Sequence, residues 1–160
     1  MKTLLTLLFL SACTSMTASA KWAPLSFKSL VEHSNCIVVA EFVSEDSRKT
    51  EGARTDQIAT LKVTSIIKGE PPANVIVSGF QGHICAPQFI FPTTKGQKYL
   101  LFLHKSENSY SVLNGHLGAM AITDNKVNWF TDETEDHHNG QRKPTELDAA
   151  IAAIKRAITP

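Results

Sequence analysis

Apolar residues in this chain fall into short runs separated by polar, charge-mixed or Gly/Pro-bearing segments, a spacing that favours strands over long helices. The strongest run is Asn35 to Val43. Val38, Ala40 and Phe42 share one face of an extended strand, Ile37, Val39 and Val43 share the other, and Glu41 is the only charge. A strand that is apolar on both faces must be covered on both sides. A barrel interior on one side and a helix on the other would do this. The second strand, Ile58 to Ile67, is instead half-polar: Ala59, Leu61, Val63 and Ile67 alternate with Thr60, Lys62 and Thr64. Lys68-Gly69-Glu70-Pro71-Pro72 is a turn, and Asn74 to Phe80 is a third strand centred on Val75-Ile76-Val77. Lys98 to His104 is a fourth strand, again apolar on both faces, and Tyr110 to Leu113 a short fifth. Gly115 and Gly118 allow a bulge or bend, and Ala119–Thr123 with Lys126–Phe130 forms a hairpin across Asp124-Asn125.

Two segments carry helical spacing. Ser26 is the expected N-cap of a short helix with Phe27, Leu30 and Val31 on one face, ended by Ser34-Asn35. Near the C-terminus, Thr145 is the expected N-cap, and Leu147, Ile151, Ile154 and Ile158 form one apolar stripe. Glu146 and Asp148 suit the positive end of that helix, Lys155 and Arg156 its last turn. The doubly covered strands are its natural docking partners. Between these elements, residues 44–56 read as a solvated polar loop, residues 81–87 as a loop carrying Cys85, and Phe89–Pro92 as an apolar segment packed over the barrel.

The N-terminal residues change the picture of the cysteines. Met1-Lys2, the apolar stretch Thr3–Leu10 and Ala18-Ser19-Ala20 before Lys21 have the layout of a secretory signal peptide. Leu10-Ser11-Ala12-Cys13 also reads as a lipobox, in which Cys13 is lipidated and becomes the new N-terminus. The expected organisation is therefore a signal at 1–20, or 1–12 for a lipoprotein, and one domain at 21–160. The mature chain would be exported to the periplasm or the outside, free in solution after cleavage or held to a membrane by acyl chains at Cys13. Export permits disulfides, and Cys36 and Cys85 remain. They are read as one bridge, closing a loop of roughly 50 residues worth about 4 kcal/mol in the chain-entropy picture. The alternative is two separate thiols.

Loss of residues 1–20 removes Lys2 and no acid, so basic and acidic side chains balance at 15 each. That balance argues against nucleic-acid binding, which needs a basic footprint. No later apolar run is long enough to span a bilayer.

Candidate chemistry is sparse. His137-His138 beside Glu135-Asp136 could hold a divalent metal, but adjacent strand residues point apart, so a solvated acidic loop explains the run better. His83 and Cys85 form a second weak pair, which a disulfide at Cys85 would remove. No serine sits in a Gly-x-Ser-x-Gly elbow, and no Gly-rich phosphate loop occurs. Trp129-Phe130 and Phe89–Phe91 read as core or lid aromatics ahead of exposed binding aromatics. No catalytic residue and no cofactor is expected.

The order helix, long strand, strand ending Ile66-Ile67-Lys68-Gly69, strand, cysteine loop, Gly96-x-Lys98-Tyr99-Leu100-Leu101-Phe102-Leu103, hairpin and terminal helix resembles the netrin/TIMP-like OB-fold domains, in their exported bacterial form. Cys36-Ile37-Val38-Val39, Val63, Cys85 and Gly96–Leu103 carry the likeness, which covers most of Ser26 to Ile158. It implies a five-stranded antiparallel Greek-key barrel with flanking helices, and a role in binding proteins or extracellular matrix. TIMP-like members inhibit metalloproteases by presenting the amine and carbonyl of an N-terminal cysteine to zinc. Here the N-terminus would be Lys21 or a lipidated Cys13, and the family's denser disulfide set is missing. The expected function is thus a non-enzymatic exported module that engages a protein or extracellular polymer through the barrel face and residues 44–56 and 81–95. The alternatives are inhibition of a secreted metalloprotease through loops, and a small metal-dependent hydrolase using Glu135, His137 and His138.

Overall fold

The computed structural model describes residues 25–51, 54–81, 89–131 and 142–159. Five strands close a barrel: β1 (Cys36–Glu51), β2 (Arg54–Lys68), β3 (Asn74–Gln81), β4 (Lys98–Lys105) and β5 (Tyr110–Val112). The order around it is β1-β2-β3-β5-β4, with β4 pairing back to β1 over Glu41↔Lys98 to Cys36↔Leu103. This is consistent with the OB-type barrel with flanking helices that the resemblance implies. One pairing departs from the antiparallel expectation. The β3–β5 contact, at Val77↔Tyr110, is parallel, because the Greek-key path brings β5 alongside β3 without a hairpin. A further strand, β6 (Ala119–Ile122), continues along β4 beyond β5.

Two cores lie on opposite sides of β1 and β4. Cys36, Val38, Ala40 and Phe42 of β1 point inward with Tyr99, Leu101 and Leu103 of β4, joined by Ala59, Leu61, Val75 and Val77. Ile37, Val39, Leu100 and Phe102 point outward into a second cluster, built with both helices and β7 (Lys126–Phe130). The expectation of a doubly covered strand is met residue by residue, and alternation alone produces it. Val43 departs from it. A register shift between Phe42 and Ser44 turns it away from the helix layer, and it is 37% exposed.

Helix α1 (Phe27–His33) starts at Ser26, whose hydroxyl accepts from the Ser29 N–H at 3.2 Å. Lys68 at the end of β2 donates Nζ to the Val31 and Glu32 carbonyls at 2.7 and 3.2 Å, closing the C-terminal end of the helix. Helix α2 (Leu147–Ile158) docks through Ala150, Ala153 and Ile154, with Leu147 and Ile151 at the margin. The expected stripe is thus rotated toward the alanines, which allow close approach, and Ile158 is left 37% exposed.

Three expectations are corrected. Residues 44–56 are not a loop: β1 continues to Glu51 and β2 begins at Arg54, in a long hairpin that pairs through Glu51↔Arg54. Main-chain bonding sustains these strands without an apolar period. The Lys126–Phe130 segment leaves its hairpin partner and pairs instead with β8 (Arg142–Glu146), a strand with no apolar alternation to announce it. Thr145 belongs to that strand, so the N-cap of α2 is Glu146, which makes no side-chain cap bond.

Candidate binding surface

The helices and β7 pack on the outer side of the barrel at β1 and β4 and reach the Ile67–Lys68 end of β2. Among the described residues, no element covers the outer face of β2 around Ile58 or that of β3 around Ile76. The alternation that sends Ala59, Leu61, Val75 and Val77 inward sends Ile58, Thr60 and Ile76 outward. Thr60 lies directly opposite Ile76 on β3 and opposite Ser44 on β1, and Ile58 is one diagonal step from Ile76. Val43, Ile58 and Ile76 are 37%, 38% and 43% exposed, and Ile66 farther along β2 reaches 53%. Near Ile66 a groove of about 510 Å³ runs beside Val63, Thr64 and the Pro71-Pro72-Ala73 turn. Ile58 and Ile76 are thus neighbouring exposed apolar side chains on one sheet face.

The Phe89–Phe91 segment closes the inner side of the same ribbon. Gln57 is 1% exposed and holds it as a strand partner would. Its Nε2 donates to the Phe91 carbonyl at 2.9 Å, and its Oε1 accepts from the Phe91 N–H at 2.7 Å. The other Nε2 hydrogen reaches Glu45 Oε2 at 3.0 Å. Phe91 packs edge-on against Phe89 and Tyr99, with centroids 4.9 and 5.2 Å away. Close approach requires glycine at position 79, where a Cβ would lie 2.0 Å from the Phe89 carbonyl oxygen. Burial pushes the Tyr99 hydroxyl above the ordinary tyrosine range. These aromatics are therefore core, as are Trp129 and Phe130, which pack against Phe27 at 5.3 and 5.6 Å.

Cys36 is a free, buried thiol in the barrel interior. A Cβ on Gly69 would stand 3.0 Å from its Sγ. Burial, and then the charge and hydrogen bonding of Cys36, push the Tyr110 hydroxyl above the ordinary tyrosine range. The expected partner Cys85 lies outside the described residues, as do Cys13, His83, Glu135, His137 and His138. Among the described residues, no three His, Cys, Asp or Glu side chains converge in a way that could hold a metal ion. No helix among them is long and apolar enough to cross a membrane.

A scan against protein-family models and a search of curated proteins return no match. The surface itself was only half visible in the sequence. Period-two reading of Ile58–Ile67 placed Ala59, Leu61 and Val63 on the buried face, which by the same rule puts Ile58 and Ile66 outside.

Proposed function

We propose that this chain is a non-enzymatic exported binding module of netrin/TIMP-like OB type, which engages a protein or extracellular polymer through the bare face of β2 and β3. The observation that carries the reading is the exposed pair Ile58 and Ile76, diagonal neighbours on the outer face of β2 and β3, which no element covers among the described residues. OB barrels in general place ligands on this part of the sheet. That is an analogy of fold, and it is independent of sequence likeness. Export rests on the signal-like residues 1–20, and the β1–β2 hairpin extends the face past the barrel closure at Glu41↔Lys98.

The test is a paired substitution, Ile58→Lys with Ile76→Glu. Both positions face solvent, so the folded state should change by less than about 1 kcal/mol. Retention of the partner from the native envelope or medium should weaken between about thirtyfold and a thousandfold, as for two interface side chains worth about 1–2 kcal/mol each. Unchanged retention by the double variant contradicts the proposal. So does turnover of a substrate by the purified protein that is lost on a single side-chain change.

A further inference from the structure

A second cleft opens on the opposite part of the surface, where β6 and β7 part company. The two strands leave the Asp124-Asn125 turn, whose residues have φ of 49° and 59°. They share one bridge, in which Thr123 and Lys126 exchange main-chain bonds of 3.0 and 2.8 Å. Beyond it β6 follows β4 and β7 follows β8. The gap holds a cavity of about 580 Å³, within the ~300–1,000 Å³ range of small-ligand sites. Consecutive residues of both strands line it, Ala119-Met120-Ala121 on one side and Lys126-Val127-Asn128 on the other, so the walls are strand edges rather than faces. In an antiparallel ladder alternate residues bond to opposite neighbours. Thr123 bonds across the gap, so Ala121 and Ala119 also direct their N–H and C=O toward it. Among the described residues, no strand pairs with this edge.

Arg142 stands at the open end. Its Nη1 donates to the Asn128 carbonyl at 3.2 Å and its Nη2 to the Leu117 carbonyl at 3.1 Å, while the guanidinium lies 4.6 Å from the centre of the Phe130 ring. The planar group is thus held between β7 and the Gly115–Leu117 turn that precedes β6. Its Nε–H is buried with no partner, and no carboxylate among the described residues pairs with it. Burial lowers the guanidinium's pKa. Lys126 at the rim is already matched by Glu146 at 3.4 Å, and Asp124 sits at the turn end of the cleft. That distribution disfavours a polyanion and suits one carboxylate placed at the Arg142 end.

We propose that this cleft binds a short extended peptide, whose main chain adds to the Ala119–Ala121 edge and whose terminal carboxylate accepts from Arg142. Strand addition supplies ladder bonds that any sequence can make, and the guanidinium selects the free acid end. Small side chains fit beside Ala119 and Ala121, the alternate β6 residues that line the cleft. This cleft is separate from the β2–β3 face, so Ile58→Lys with Ile76→Glu should leave it intact, and failure of one site does not entail failure of the other.

The experiment is calorimetric titration of the full chain with the tetrapeptide Ala-Val-Ala-Val, its C-terminal amide, and acetate. The acid peptide should bind saturably, and amidation should weaken it by about tenfold or more, the loss of one charge-assisted hydrogen bond to Arg142. Ala121→Pro removes an edge N–H that β4 does not use and should weaken the acid peptide similarly. Arg142→Lys keeps a charge but not the fork, and should erase the preference for acid over amide. Circular dichroism would confirm that both variants fold. Equal affinity for acid and amide, no saturation by about 1 mM, or indifference to Ala121→Pro in a folded protein overturns the proposal. Acetate binding as tightly as the peptide removes the strand-addition part and overturns it as stated.

Discussion

Gln57→Leu is expected to lower the free energy of unfolding by about 2–6 kcal/mol. The leucine side chain is close in volume to the amide it replaces, so the loss comes from hydrogen bonding and not from a cavity. Gln57 is 1% exposed and Phe91 is 1% exposed, so the Phe91 N–H and C=O that it serves are shielded from water. Each buried main-chain group left without a partner costs about 1–3 kcal/mol, and two are stranded at once. Glu45 also loses the 3.0 Å donor that anchors its carboxylate beside the pair. Equilibrium urea denaturation of wild type and variant would measure the difference as a lower midpoint. A change below about 1 kcal/mol would mean that water reaches Phe91 after all and that the Phe89–Phe91 segment is not a sealed lid.

Phe102→Ala is expected to cost about 3–5 kcal/mol. Phe102 is 0% exposed and points from β4 into the outer cluster with Leu100, Ile37, Trp129 and Ile154. Truncation leaves a cavity between a closed barrel and two helices, neither of which can collapse inward without breaking the β1–β4 ladder. The matched comparison is Ile66→Ala on the same barrel, where the side chain is 53% exposed and the expected cost is near zero, within about 0.5 kcal/mol. If the two variants were equally destabilised, the helix layer would not be the tightly packed second core described above. The contrast also separates scaffold from surface, because β1 and β4 are buried on both sides over Ile37–Ala40 and Tyr99–Leu103, while Ile58 of β2 and Ile76 of β3 are exposed.

That division was legible in the sequence wherever apolar residues wrote it. Val38, Ala40 and Phe42 against Ile37 and Val39, and Leu101 and Leu103 against Leu100 and Phe102, announce strands with two dry faces. Ser26, Phe27, Leu30 and Val31 announced α1 with its cap. Elements held by main-chain bonds alone were not legible. Residues 44–51 and 54–57 are strand because their neighbours are strand, and their charge-mixed side chains carry no period. Strand β8, which contains Arg142, Lys143 and Pro144, was hidden for the same reason, and with it the reason that β7 leaves β6. The Arg142 cleft is a consequence of that hidden strand, so no local motif could have pointed to it. Gln57 was equally silent, since a glutamine in an alternating strand reads as one more polar position until its partner, 34 residues away, is placed. The metal reading of Glu135, His137 and His138 lies on residues outside those described, and among the described ones nothing takes its place.

In the proposed function, partners meet the Ile58–Ile76 face of β2 and β3 and not the helix-covered side. Site-specific photo-crosslinking tests it most directly. A photoreactive amino acid would replace Ile76, 43% exposed on the bare face, and in a parallel sample would replace Lys155, exposed on α2. Illumination in the native envelope or medium should give a discrete adduct from position 76 and none from position 155. Adducts from position 155 alone, or no adduct from position 76, would contradict the account.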